Sequence, residues 1–383
     1  MSVTYRVPSQ VPIPGIERNA APYLYGPEHE ALSRVLAQGQ YGHTAETEEF
    51  ESELASFLGV PDVVAVASGT TALQLALHAA GISAGDEVVV PSMTFCATVQ
   101  AVLAVGASPR FAEIDPDTLC VTADSVAAAL TASTRAVLPV LYGGRAVDLD
   151  PLRAELTRRR ITVVEDAAHA FGSRHGRLRV GATGELTCFS FGPIKNLTCG
   201  QGGAVVPRHP LDAAALRTLR GLGIAESAEQ RAAATGYRVT GHGLRAGLPA
   251  LNAAIGRVQL AHRDRAERER RTLWTAYREA LADIDGVRTV DVDVARSVPS
   301  LCAVRVPIEQ RDRTFVALRA AGVGVGVHYP PNHLQPAFRA WTRPMPVTEQ
   351  TGREILTLPF HQHLRPGDPA RVADALRQAL AGR

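Results

Sequence analysis

Residues 188–203 read Cys-Phe-Ser-Phe-Gly-Pro-Ile-Lys-Asn-Leu-Thr-Cys-Gly-Gln-Gly-Gly, and this stretch decides how the chain is interpreted. It contains Lys195, the only lysine of the sequence, in which lysine and arginine together number 40. An arginine stays protonated, whereas a lysine amine can lose its proton and attack a carbonyl. The lone lysine therefore indicates either a nucleophile or compositional drift in an arginine-rich chain, and the neighbouring motifs decide between them.

Short apolar segments alternate with helical patterns from about residue 60 onward, and the quoted stretch begins inside one of them. This alternation is typical of an α/β domain around a largely parallel sheet. We therefore expect a large domain with a mostly parallel seven-stranded sheet flanked by helices. The predicted strands are Val63–Ala67, Glu87–Val90, Arg110–Ile114, Ala136–Leu141, Ile161–Glu165, Leu186–Phe191 and Gly203–Val206.

The alternation of strands and helices ends after Pro249. A long helix is predicted from about Leu251 to Ile284, and shorter strands and helices follow it. Because one hydrophobic core stops growing at roughly 250–300 residues, we expect a large domain over residues 1–250 and a smaller C-terminal α+β domain over residues 251–383. The apolar positions of the long helix that we expect to be buried are Ile255, Val258, Leu273, Trp274 and Tyr277.

The composition is that of an ordinary globular protein. The formal net charge is +2, with 46% apolar and 20% charged residues, and nothing in this balance indicates nucleic acid as a partner. We expect neither a signal peptide nor a membrane span, since no apolar run approaches the ~20 residues that cross a bilayer. The five cysteines are scattered without a CxxC pair, which predicts no metal site and a cytoplasmic location.

A turn of small residues follows the first predicted strand. Residues 68–73 read Ser-Gly-Thr-Thr-Ala-Leu and open a helix. The free backbone N–H groups and the positive end of the helix dipole suit a phosphate at such a turn. Serine and threonine are also favoured as plain N-caps, so this motif alone does not separate a binding site from a cap.

Three other side chains follow predicted strands, where open α/β sheets bind ligands. Asp166 could hold a cationic ring nitrogen in its protonated form, or it could be an acid in a solvent-facing loop. His169 could orient a ligand or satisfy a hydrogen bond in the core. Phe95 could stack on a planar cofactor or be an ordinary core aromatic.

These features converge in one domain. A phosphate turn, an aromatic ring, a carboxylate and a lysine occur in that order, each just past a strand. The set fits pyridoxal 5′-phosphate (PLP), whose aldehyde needs a lysine, whose ring nitrogen needs an acid and whose phosphate needs N–H donors. The sequence therefore predicts PLP as the cofactor, with pyridoxamine phosphate as its intermediate form.

The order of these motifs and the residues within them resemble those of the nucleotide-sugar aminotransferases of the DegT family, which belong to the fold-type I PLP enzymes. The resemblance covers nearly the whole chain. The segments that carry it are 81–88, 113–116, 142–144, 165–169, 189–196, 202–206, 328–330, 333–336 and 356–359.

The resemblance implies a role for each matching residue. Lys195 would form the internal Schiff base and then move the proton, while Asp166 would pair with the pyridine nitrogen. His169 occupies the place where a glutamine or histidine contacts the cofactor, and Phe95 matches the stacking aromatic. The residues that would bind the phosphate are Gly69, Thr70 and Ser190. The candidates for the sugar or diphosphate of the acceptor, or else for a turn stiffened by prolines, are His328, Tyr329 and His333.

Three departures from the family pattern stand out. The family usually has a Gly-x-Asn-x-Arg stretch that sends an asparagine into the partner subunit's phosphate site, and here Gly243 stands at that place, with His242 or Asn252 as possible substitutes. Gln201 stands where an acidic residue is common, and Thr44-Ala45 replaces a frequent Gly-Pro. The family also implies a homodimer with shared active sites, in which residues 238–245 would cross into the partner's site or would be a surface loop.

The expected activity is a PLP-dependent transamination of a ketosugar, attached to a nucleoside diphosphate, with L-glutamate as the amino donor. One alternative is a ketocyclitol aminotransferase of the kind found in aminoglycoside pathways. A second, of another class, is a non-catalytic relative that binds PLP as a regulator. A sugar dehydratase of the same fold carries histidine in place of the lysine, and Lys195 argues against it.

Overall fold

The central sheet is built from strands that precede residue 207. A computed structural model describes residues 15–227, 230–231 and 233–382. Numbered along the chain, its first nine strands are β1 Val64–Val66, β2 Glu87–Pro91, β3 Ser108–Ala112, β4 Thr134–Val137, β5 Thr162–Asp166, β6 Arg174–His175, β7 Leu178–Arg179, β8 Leu186–Ser190 and β9 Gly203–Val206. Strands β6 and β7 form a separate hairpin, and the other seven are ordered β1-β9-β8-β5-β4-β2-β3.

The sheet is mostly parallel, as the sequence predicted. Strand β9 is antiparallel to both of its neighbours, and the other pairs are parallel. Two strands begin two residues before their predicted starts, at Ser108 and Thr134. Strand β3 includes Pro109, and it lies at the edge of the sheet, where proline is tolerated. Thr134 and Arg135 are polar and therefore stand outside the apolar run.

Helices cover both faces of the sheet. In the first part of the chain they are α1 Glu28–Gln38, α2 Ala45–Leu58, α3 Gly69–Ala79, α4 Cys96–Ala104, α5 Ala123–Ala127, α6 Arg153–Arg158 and α7 Pro210–Arg220. One buried cluster unites Leu54 of α2 with Phe189 of β8, and another unites Leu75 of α3 with Val88 of β2. Both faces of the strands are thus buried, which explains their continuous apolar runs.

The single long helix predicted after Pro249 is wrong, because the chain breaks into α8 (Ala250–Ala261) and α9 (Arg263–Leu281). The break falls at His262, whose ring stacks on Tyr25 with centroids 4.4 Å apart. The two helices join different cores: Ala250 and Ala254 pack with α1, whereas Trp274 and Tyr277 are buried in the C-terminal core. The other apolar positions that we expected to be buried are only partly so, namely Ile255, Val258 and Leu273. The boundary between residues 250 and 251 stays a prediction.

The C-terminal part is a small α+β unit. Its strands are β10 Arg288–Thr289, β11 Cys302–Arg305 and β12 Ile355–Leu358, paired antiparallel in that order. Its remaining helices are α10 Arg311–Ala320, α11 Pro346–Glu354 and α12 Asp368–Leu380, with 3-10 turns at Asn332–Leu334 and Pro336–Trp341. Across the described residues, no helix is both long enough and apolar enough to cross a membrane.

Candidate active site

The turn before α3 is packed so tightly that only glycine fits at two positions. A Cβ on Gly69 would lie 2.7 Å from Cβ of Ser190, and a Cβ on Gly203 would lie 2.6 Å from the carbonyl carbon of Ser68. Ser68 caps the helix by accepting the Thr71 N–H at 3.1 Å. The first turn of α3 and the Ser190 hydroxyl therefore stand side by side, and exposed Thr70 lies in the same turn. This arrangement offers several donors and the positive helix end to an anion.

Lys195 lies beside this turn, just past the end of β8. A Cβ on Gly192 would lie 3.7 Å from Oγ of Ser190 and 3.8 Å from Cγ of Lys195, so both side chains approach the same glycine. Burial lowers the pKa of Lys195 from 10.5 to about 8, and the nearby Asp166 carboxylate opposes this fall. A substantial part of the amine is therefore neutral near physiological pH and can act as a nucleophile.

Asp166 ends β5 as a buried carboxylate with two donors. Its Oδ2 accepts the Thr98 hydroxyl at 2.8 Å, and its Oδ1 accepts the Ala168 N–H at 3.1 Å. Burial raises the pKa of Asp166, and the hydrogen bond from Thr98 opposes this rise. A cationic ring nitrogen beside the carboxylate would offset the cost of its burial.

His169 is buried in a fixed orientation. Its Nδ1 accepts the Gly143 N–H at 3.4 Å, and its Nε2 lies 3.2 Å from the hydroxyl of Tyr329. Burial lowers the pKa of His169 well below its usual range, so the ring is neutral. Because Nδ1 accepts a hydrogen bond, the proton of the neutral ring belongs on Nε2, which donates to Tyr329.

Phe95 is not a core aromatic. Its side chain is 55% exposed, and its ring lies 5.8 Å from that of Tyr329. Tyr329 and its neighbour His328 come from the C-terminal part of the chain. The His328 carbonyl accepts the Tyr142 hydroxyl at 2.6 Å, and its Nδ1 lies 2.7 Å from Oγ1 of Thr357. The ring of Phe95 is thus free to contact a ligand.

His333 is buried, unlike the exposed Phe95. It is 1% exposed, with Nδ1 2.6 Å from Oγ of Ser92 and Nε2 3.3 Å from the Glu349 carboxylate. The next residue back, Asn332, donates to the carbonyl of Thr94 at 2.6 Å. The side chains of Asn332 and His333 therefore hold the segment that leads to Phe95. No motif in the sequence predicts these contacts.

Gly243 could not carry a side chain in this fold. A Cβ there would lie 2.2 Å from the backbone nitrogen of Gly223. Of the two substitutes considered for the family's asparagine, Asn252 donates to the Cys199 carbonyl of its own chain at 2.9 Å, and His242 is exposed. The other departures are mild, since Thr44 serves as the N-cap residue of α2 and the Gln201 amide lies near Gly192.

The sequence model of the DegT/DnrJ/EryC1/StrS aminotransferase family matches residues 24–377. The chain belongs to this family. It is therefore an aminotransferase, and its cofactor is PLP.

The similar proteins include a transaminase of a dTDP-linked sugar and solved structures of related proteins. The dTDP-3-amino-3,4,6-trideoxy-alpha-D-glucose transaminase of Streptomyces venezuelae is 38% identical over 353 residues, which cover 91% of this chain and 90% of that one. The crystal structure of DesV from S. venezuelae, in complex with a ketimine intermediate, has a TM-score of 0.84 and 38% identity, covering 92% of this chain and 94% of that one. The aminotransferase TlmJ from Streptoalloteichus hindustanus has a TM-score of 0.89 and 34% identity, covering 95% and 99%.

The chemistry of the residues at the site fits PLP. The α3 turn has no Cβ at Gly69 to keep a phosphate away, and Ser190 adds a hydroxyl. Asp166 is a buried carboxylate that a pyridinium nitrogen would neutralise, and Lys195 is an amine with a lowered pKa. Phe95 has an exposed ring that could stack on a planar cofactor.

Proposed function

We propose that the enzyme transfers an amino group from L-glutamate to the keto group of a nucleotide-linked deoxysugar. The observation that carries this proposal is that Lys195 and the buried Asp166 lie at or just past the ends of neighbouring strands, and that the pKa of Lys195 is lowered. The nucleotide-sugar transaminase at 38% identity supports the choice of acceptor.

The proposed roles follow from the chemistry of each side chain. PLP, when bound, supplies an electron sink for the carbon that loses its proton. Lys195 binds the cofactor through its neutral amine and afterwards moves a proton between the cofactor and the substrate carbon. Asp166 would keep the ring nitrogen protonated, and neutral His169 would contact the cofactor. Phe95 stacks on the cofactor, and the residues that bind its phosphate are Gly69, Thr70 and Ser190.

For the acceptor we propose contacts with His328 and Tyr329, whose rings lie next to each other and, for Tyr329, next to Phe95. His333 holds the neighbouring segment in place through its contacts with Ser92 and Glu349. We also propose a cytoplasmic location, supported by five cysteines that are all free.

The test is a visible spectrum of the PLP-loaded protein before and after L-glutamate, followed by an assay of acceptors. We expect an absorbance band at about 410–430 nm that moves to about 330 nm when glutamate is added. The loaded amine should then pass to a nucleotide ketosugar in preference to a ketocyclitol. Transfer only to the ketocyclitol would contradict the proposed acceptor, and a band that no amino donor shifts would support a binding protein instead.

The rate at which the apoenzyme captures PLP should rise with pH, with its midpoint at about pH 8. Capture needs the neutral amine of Lys195, and the pKa of about 8 means that its neutral fraction grows as pH rises through that value. Stopped-flow absorbance of the visible band measures the rate. A midpoint near the ordinary lysine value of 10.5 would contradict the lowered pKa.

We further propose that the enzyme is a homodimer with shared active sites. In the described part of the segment between α7 and α8, an excursion of the chain, the large apolar side chains of Leu222, Tyr237 and Val239 are exposed, and a second copy would cover them. Sedimentation should show a dimer of the 40.7 kDa chain. The double change Tyr237→Asp and Val239→Asp should give a monomer, whereas Leu211→Asp, an exposed site outside the excursion, should leave the dimer intact.

A further inference from the structure

Thr98 is a buried hydroxyl that faces the carboxylate of the site. It lies in the first turn of α4 and donates to Oδ2 of Asp166 at 2.8 Å, across 68 residues of sequence. The other oxygen, Oδ1, takes the Ala168 N–H. Each carboxylate oxygen thus has one fixed donor, and the rotation of the carboxyl group is set from both sides.

A second hydroxyl fixes the direction of the first. Oγ1 of Thr94 lies 2.8 Å from Oγ1 of Thr98. Because the proton of Thr98 is given to Asp166, Thr94 must be the donor in this pair. Hydrogen bonds in such a chain polarise one another, and the charged acceptor at its end makes the last bond the strongest.

The chain of hydroxyls is anchored in the C-terminal part of the protein. The Asn332 amide donates to the Thr94 carbonyl at 2.6 Å and to the Ser92 carbonyl at 3.0 Å. The contact spans 238 residues, and Asn332 is itself buried. Asn332 therefore links the segment that carries Tyr329 to the one that carries Phe95 and Thr94.

We propose that Thr98 is a positioning residue that holds Asp166 against the ring nitrogen of the cofactor, and that Asn332 keeps Thr98 in place through Thr94. This inference deepens the proposed function and rests on it. The hydrogen bond from Thr98 stabilises the ionised carboxylate in a site where burial favours the protonated one. Without it, Asp166 takes up a proton more readily and no longer keeps the ring nitrogen charged.

The experiment is Thr98→Val, which removes the hydroxyl and keeps the shape. Two readouts besides turnover report on Asp166: the dissociation constant of PLP by absorbance titration, and the pH midpoint of the visible band. We expect PLP to bind about tenfold more weakly, as for the loss of one hydrogen bond to a charged group. The pH midpoint should move upward. An uncharged ring is less electron-withdrawing, so the Lys195 nitrogen, when joined to the cofactor, should keep its proton to higher pH.

A matched control lies one strand away. Thr187 is a buried threonine that donates to Oε2 of Glu165 at 2.7 Å, next to Asp166 in sequence. Thr187→Val should lower the melting temperature comparably and leave both readouts at wild-type values, whereas Thr98→Ser should restore them. Thr98→Ala replaces the valine variant if that one does not fold.

The outcomes separate this inference from the proposed function. A wild-type protein without a visible band would overturn the proposed function itself. A normal wild-type band, with Thr98→Val unchanged in both readouts or shifted no more than Thr187→Val, would overturn the role of Thr98 alone. Asn332→Ala should move the pH midpoint in the same direction as Thr98→Val. An unchanged midpoint would show that Asn332 does not act on Asp166 through Thr94 and Thr98.

Discussion

Lys195→Ala should lose transamination by at least about a thousandfold, because the variant has no amine to bind PLP or to carry the proton afterwards. The fold should survive. Lys195 is partly buried, and its charge is disfavoured there, so the free energy of unfolding should stay within about 2 kcal/mol of wild type. The measurements are product formation from a nucleotide ketosugar and a urea titration.

The composition of the chain makes this prediction unusually direct to check. Since Lys195 is the only lysine, borohydride reduction of the PLP-loaded enzyme should attach one phosphopyridoxyl group, on the peptide that contains residue 195. Lys195→Ala should carry none. Lys195→Arg is the matched control, because it keeps a cation that cannot lose its proton and should be equally inactive. Attachment elsewhere, or activity in either variant, would contradict the assigned role of Lys195.

The chemistry of the site could be predicted because its parts follow strand ends. Parallel strands bring their carboxyl ends to one edge, which predicts that Asp166 and Lys195 share that edge, and the pairing of β5 with β8 makes them neighbours. Phe95 shows the limit of that reasoning. An aromatic residue after a strand is more often part of a core, and only the fold reveals that its ring is exposed.

Contacts between distant segments leave no local pattern. Thr98 and Asn332 act on residues 68 and about 240 positions away, and each looks like an ordinary polar residue of a helix or turn. His333 belongs to the same group, since its motif suggested contact with the acceptor and its observed contacts are with Ser92 and Glu349.

The break between α8 and α9 at His262 also leaves no local pattern. The helical pattern runs through it, and only the packing of α8 and α9 on different cores requires the break.

Glu51 and Arg220 form another such contact, a buried ion pair between α2 and α7. Both are also bound to the backbone of Ala65 in β1: the Glu51 carboxylate accepts its N–H at 2.7 Å, and Arg220 donates to its carbonyl at 2.8 Å. Burial raises the pKa of Glu51, and Arg220 opposes the rise. Strand β1 leads to Ser68, so this pair fixes the strand that precedes the turn proposed to bind the phosphate.

Glu51→Ala should therefore lower the free energy of unfolding by about 3–5 kcal/mol, because it leaves the guanidinium of Arg220 buried without its counter-ion. A urea titration of the apoenzyme measures the loss. Glu53→Ala is the matched control from the same helix: it removes one of three carboxylates around the partly exposed Arg257, and it should cost less than about 1 kcal/mol. The double change Glu51→Ala and Arg220→Ala should recover part of the loss. Equal costs for Glu51→Ala and Glu53→Ala would show that the buried pair does not hold β1, since a desolvated charge left alone has to destabilise the fold more than one left in water.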